Sequence, residues 1–148
     1  MTLPSRVLLF GAVPLLMSGH ATPAVHRVVI EAHDYAYVVP TTVPAGPTLF
    51  EFVNRGRVRH EVQFFRVKAG VTANQARSYL ATGDIPWSAV DTTSGAGVLI
   101  AIPGDSAHEQ LYVDLARGEH YALMCQFQDS SKAPPHATLG MVALLTVR

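Results

Sequence analysis

The chain is 148 residues long, about one domain's worth, and its charges cancel at 11 Lys+Arg against 11 Asp+Glu. No basic run of five or more residues occurs, so the electrostatic footprint of a nucleic-acid binder is missing and nucleic acid is not an expected partner. Cys125 is the only cysteine, which excludes an internal disulfide.

The first residues read as an export signal. A short n-region ends in Arg6, an apolar stretch follows from Val7 to Met17, and Ser18-Gly19-His20-Ala21 supplies a small-residue cleavage site, with cleavage expected after Ala21. The apolar run is too short to cross a hydrocarbon core of about 30 Å as a helix, and no second long apolar run follows. No cysteine stands at the cleavage site to be lipidated. The expectation is a signal peptide over 1–21 and one domain over 22–148, periplasmic or secreted, with no stable membrane span once the signal is removed.

From Val25 onward, short β-branched and aromatic runs alternate with Gly, Pro and Asn turns, which is the pattern of an all-β sandwich or barrel. Val25 to Val38 reads as one strand leading into Pro40, and Val43-Pro44-Ala45-Gly46 as a turn. Thr48 to Val53 reads as a strand with Phe50 and Phe52 on one face and Leu49, Glu51 and Val53 on the other. Asn54-Arg55-Gly56 turns the chain into a strand from about Arg59 to Arg66, with His60 near its start.

Thr72 to Thr82 predicts the one helix, capped by Thr72, with Ala76, Tyr79 and Leu80 on a shared face and Gly83 to end it. A loop with Pro86 and Trp87 covers 84–97. Strands are then expected at Val98 to Ile102, His108 to Leu115, His120 to Phe127 and Gly140 to Val147, separated by turns at Pro103-Gly104-Asp105 and at 116–119.

The residues that carry chemistry cluster near the C-terminus. Cys125 ends a strand, a ten-residue loop follows from Gln126 to Pro135, and His136 and Met141 enter the last strand. A thiolate, an imidazole and a thioether on strands that meet at one end of a sandwich can converge, and two His with one Cys and a weak axial Met is the ligand set of blue-copper sites. One histidine is missing from this segment. Taken singly, Cys125 also reads as a buried small hydrophobe, Met141 as core packing and His60 as a strand-edge histidine.

Tyr121-x-x-x-Cys125 followed by His136-x₄-Met141 resembles the C-terminal signature of the cupredoxins. The resemblance runs from about His26 to Val147 and includes Asp34-Tyr35-x-Tyr37 before Pro40, Val43-Pro44-Ala45-Gly46 before a Phe-rich strand, and Asn54-x-Gly56-x-x-x-His60. It implies a Greek-key β-sandwich with one short inserted helix. It makes His60 the missing ligand, so that His60, Cys125, His136 and Met141 would hold one mononuclear copper ion. The activity implied is single-electron transfer by a monomer to a redox partner protein, and not enzymatic catalysis. A metal-free binding module and a copper(I) storage or delivery protein are the alternatives.

Three features depart from the family pattern. The Cys125-to-His136 loop is long, and its polar middle, Asp129-Ser130-Ser131-Lys132, reads as projecting outward or binding a partner. Glu61 stands where family members often carry an Asn or Ser that braces the cysteine loop. The segment from Ala69 to Gly97 is longer than in the smallest members.

His26, His33, His108 and His120 have no matching Cys or Met partners and read as surface or edge residues. Arg55, Arg57 and Arg59 make a basic strip beside His60, either a solvated turn or a surface that steers an acidic redox partner. There is no Gly-x-Ser-x-Gly elbow, His-Glu-x-x-His helix or Gly-rich phosphate loop to suggest hydrolysis or phosphate chemistry.

Overall fold

The structure is a computed structural model that describes residues 24–93 and 97–148; the expected signal peptide lies outside the described residues. Among the described residues, nine strands form two sheets. The first contains β1 (His26–His33), β2 (Ala36–Val38), β4 (Gly46–Asn54) and β7 (Leu111–Leu115), in the order β2-β1-β4-β7. The second contains β3 (Thr42–Val43), β5 (His60–Arg66), β6 (Gly97–Ala101), β8 (His120–Met124) and β9 (Val142–Val147), in the order β3-β9-β8-β5-β6. The β1/β4 and β3/β9 pairs are parallel and the others antiparallel.

The period-two pattern of β4 sorts its residues between core and outer face. Thr48, Phe50, Phe52 and Asn54 are buried while Leu49, Glu51 and Val53 are half-exposed, as the alternation predicts. Val28 and Ile30 join them from β1. Val62 and Phe64 of β5, Leu123 of β8 and Leu145 of β9 face them from the second sheet, and Phe50 and Phe64 meet with ring centroids 4.9 Å apart. Burying each such side chain stabilises the sandwich by about 1.5–3 kcal/mol.

Strand β8 reads as an unbroken apolar run because both of its faces are covered. Tyr121 and Leu123 pack into the sandwich core, while Ala122 and Met124 lie under the helix α1 (Ala73–Leu80). Thr72 caps that helix as expected. Its hydroxyl accepts from the Gln75 amide and the Gln75 side chain returns a bond to the Thr72 amide, a reciprocal capping box. Ala76 and Leu80 are the buried face, and Trp87, 72% exposed, sets its ring edge-on to Phe65.

The segment from Val25 to Val38 is a hairpin and not one strand. β1 and β2 pair antiparallel with His33 opposite Ala36, leaving Asp34-Tyr35 as a two-residue turn. The turn is closed by Tyr35 at φ 64°, a left-handed conformation uncommon for a bulky residue, so turn composition gave no warning of it. Two 3₁₀ turns also form among the described residues: Trp87–Ala89 within the stretch read as loop, and His136–Leu139 where the chain was expected to enter the last strand.

Gly83 links the inserted helix to the end of the sandwich. Its φ is +79°, and a Cβ there would stand 2.6 Å from the Thr138 Cα. Gly70, at φ +92°, has open space around it. Both Gly→Ala variants bear the left-handed penalty of about 1–2 kcal/mol, but only Gly83→Ala adds a backbone clash. Urea denaturation is expected to show a clearly larger loss for Gly83→Ala than for Gly70→Ala; equal losses would mean that the helix does not bear on the His136 turn.

Candidate metal centre

Three local devices bring side chains to one end of the sandwich. Asn54, fully buried, donates to the carbonyls of Val58 (2.8 Å) and Ala101 (3.0 Å) and accepts the Gly56 amide (2.8 Å), which fixes the turn that delivers His60 to the start of β5. Gly56 is required there by space: a Cβ would lie 2.4 Å from Asp34 Oδ1 and 2.9 Å from His60 Nε2.

Past the end of β8, the Cys125 amide donates to the Met141 carbonyl and the Cys125 carbonyl accepts from Ala137. Pro135, extended at ψ 144°, then feeds His136 into its 3₁₀ turn, which Gly140 ends at φ 109°.

The result is a buried convergence of donors. His60 Nδ1 and His136 Nδ1 are 3.2 Å apart, and Cys125 Sγ lies 4.0 Å from the first and 3.5 Å from the second. These three residues are the one group among the described residues whose ligand atoms could hold a metal ion together, and all three are at most 1% exposed. Met141 is fully buried in the core cluster that also contains Cys125, and its amide donates to the His136 carbonyl.

The far edge of each imidazole faces a carboxylate. His60 Nε2 lies 3.4 Å from Asp34 Oδ1, and His136 Nε2 lies 3.0 Å from Asp129 Oδ1. An ionised carboxylate can only accept, so these contacts favour the tautomer with a proton on each Nε2, in which both Nδ1 lone pairs point inward beside the sulfur. Three acceptors packed this closely out of water have at most a thiol proton to share, and unpaired buried polar groups are costly. A cation that favours nitrogen and sulfur satisfies all three, so the residues fit a metal of that class.

The titration behaviour follows from these surroundings. Burial pushes His60 down and the Cys125 thiol up, the latter opposed by the backbone of Glu61 and Phe127 and by the Tyr37 hydroxyl. Asp34 is held down at about 2, chiefly by the amide and guanidinium of Arg57.

Glu61 replaces the expected Asn or Ser and performs the bracing itself. Its Oε1 accepts the Gln126 amide at 3.0 Å and the Gln63 side chain at 2.7 Å, tying β5 to the residue after Cys125. Tyr37 donates to the Glu61 carbonyl from the other side.

The polar loop does not simply project outward, because Asp129 turns back onto His136. Nor is the arginine strip a free cationic surface. Arg55 pairs with Glu31, Arg57 with Asp34, and the Arg59 guanidinium lies 4.4 Å from the centre of the Phe127 ring. Among the other histidines, His33 approaches Glu31 at 3.7 Å and His120 approaches the Thr146 hydroxyl at 3.2 Å. Sequence reasoning passed over Asp34, Tyr35 and Tyr37 as site residues; their only signal was their place in the Asp34-Tyr35-x-Tyr37 stretch.

No family model matches the chain, and no curated protein sequence matches it. Solved structures do. Reduced auracyanin from Roseiflexus castenholzii superposes with a TM-score of 0.51 at 17% identity, over 86% of this chain and 99% of that one. Rusticyanin from Thiobacillus ferrooxidans gives 0.51 at 17% identity, over 86% and 79%. A second structure of rusticyanin, named there as a copper protein, gives 0.52 at 16%, over 86% and 80%. The chain has the cupredoxin fold. The His-Cys-His group sits where the start of β5 and the 125–141 segment meet.

The Glu61 brace can be tested apart from any metal. Glu61→Ala leaves the Gln126 amide without its acceptor and is expected to cost about 1–3 kcal/mol. Glu61→Gln keeps an oxygen at the same place and should retain most of that stability. Chemical denaturation of the two variants checks this, and equal losses would show that the brace contributes nothing.

Proposed function

We propose that this protein is a type 1 copper protein that carries single electrons, with His60, Cys125 and His136 as strong ligands and Met141 as a weak axial one. The observation that carries the proposal is the meeting of two imidazole nitrogens and one thiol sulfur, all buried, within 4.8 Å of one another. The donor set supports copper: a soft sulfur with two imidazoles suits both copper oxidation states, whereas hard cations prefer oxygen. Copper would supply the one-electron couple.

The chain's own residues account for the rest. The ligands are held by backbone bonds and packing, so their positions are largely fixed before any metal arrives, which limits rearrangement when an electron moves. Cys125 must lose its proton to become a ligand, and burial alone opposes that. Neighbouring amides and the incoming cation favour the thiolate. The Met141 thioether is soft and weakly binding, so it can tune the potential without imposing a new geometry.

The proposal extends to location and partners. The n-region, apolar run and small-residue site over 1–21 support export of the 22–148 domain to the periplasm or the exterior. Among the described residues, no helix is long and apolar enough to cross a membrane. A redox partner protein would exchange the electron.

Copper(II) added to the purified protein is expected to produce an intense visible band from thiolate-to-copper charge transfer, and Cys125→Ser should abolish it. The folded state should also be stabilised, by about 2.7 kcal/mol when free copper is a hundredfold above its dissociation constant. Met141→Leu should retain the colour and shift the potential. A colourless sample with an unchanged melting temperature would sink the proposal, and tight copper(I) binding with no electron exchange at an electrode would assign the site to storage instead.

A further inference from the structure

The outer edge of His136 is closed by a chain of contacts that copper binding alone does not require. Tyr35 donates its hydroxyl to Asp129 Oδ2 at 2.6 Å, and Asp129 Oδ1 lies 3.0 Å from His136 Nε2. The Tyr35 ring also meets His136 edge-on, with centroids 5.1 Å apart. His136 is 1% exposed, whereas the Asp129 side chain is 35% exposed, so the carboxylate stands between the imidazole and solvent.

One partner comes from a place where a plainer residue would serve the fold better. Tyr35 occupies a left-handed turn position at φ 64°, where Gly or Asn would sit with less strain. It is the side chain that reaches both Asp129 and His136. Asp129 lies in the ten-residue loop, which closes on itself through Gln128 Nε2 to the Ala133 carbonyl (2.6 Å) and from the His136 amide to the Phe127 carbonyl (2.8 Å). That closure folds the carboxylate back over the histidine. Asp34 is the weaker counterpart at His60, since its contact is 3.4 Å and its carboxylate is engaged by Arg57.

We infer that Tyr35 and Asp129 are a positioning pair for His136: the tyrosine orients the carboxylate, and the carboxylate holds the Nε2 proton so that Nδ1 faces the metal site. The pair also places a negative charge one imidazole away from the metal. That charge favours the higher oxidation state and lowers the reduction potential. Only this electrochemical half rests on the copper reading.

The test uses the full chain with Asp129→Ala, Asp129→Asn and Tyr35→Phe. The last removes one hydroxyl and keeps the ring on His136, which guards against a variant that fails to fold. Proton–nitrogen correlation spectra of the metal-free protein are expected to show His136 protonated at Nε2 in the natural chain. Tyr35→Phe and Asp129→Ala should lose that single tautomer, and Asp129→Asn, which keeps an accepting oxygen, should retain it.

In the copper-loaded protein, Asp129→Ala should bind copper(II) about tenfold more weakly. Asp129→Asn should favour copper(I) by about tenfold, a rise of about 59 mV for one electron. A natural-chain His136 protonated at Nδ1, an Asp129→Ala spectrum unchanged from it, or an unmoved potential in Asp129→Asn would each overturn the inference. If the natural chain takes up no copper, the functional reading fails while the metal-free spectra still decide the pair.

Discussion

The arrangement depends on a small set of backbone hydrogen bonds that close the segment 125–141 on itself. Cys125 donates to Met141, Ala137 donates back to Cys125, Met141 donates to His136, and His136 donates to Phe127. A loop of this length costs little extra closure entropy once its ends are tied. Tying them puts a sulfur and an imidazole from opposite ends of the loop 3.5 Å apart. Without that closure, the thiol and His136 would be independent side chains on a flexible connection, and no sheet register could bring them together.

The second sheet contributes the remaining histidine by a different route. β5 lies next to β8, so the strand beginning at His60 and the strand running toward Cys125 lie side by side with opposite directions. His60 therefore reaches the end of the sandwich at which the Cys125 segment begins. Glu61 converts that adjacency into a fixed distance by accepting the Gln126 amide. A glutamate side chain is one methylene longer than Asn and longer still than Ser, and Glu61 spans the gap while remaining 5% exposed.

Much of this was legible in the sequence because it follows from patterns with a short period. The alternation around Phe50 and Phe52, the Thr72 cap, and the spacing from Cys125 through His136 to Met141 each reflect local geometry that a side-chain pattern reports directly. The hairpin at Asp34-Tyr35 was hidden because tyrosine gives no sign of a left-handed turn, and an apolar run on both sides of it reads as continuous strand. Asp129 was hidden for the opposite reason. A carboxylate within Asp-Ser-Ser-Lys looks solvated, and only the folded loop shows that it faces an imidazole. The arginines beside His60 looked like free charge until the folded positions of Glu31 and Asp34 paired two of them.

The inserted segment from Ala69 to Gly97 also acquires a physical role from its packing. Ala137, in the His136 turn, belongs to the same buried cluster as Ala76 and Leu80 of α1, and Gly83 lets the helix end approach the Thr138 backbone. The turn that carries His136 therefore rests on the helix along one side, while Tyr35 and Asp129 contact the imidazole itself. Side chains in close-packed surroundings transmit small displacements, since there is little void to absorb them. A change at the helix end is therefore expected to be felt at the His136 turn, although the helix contributes no ligand atom. The polar loop and the inserted helix thus support the same histidine turn from two sides, the loop through Asp129 on the imidazole and the helix through the buried cluster around Ala137.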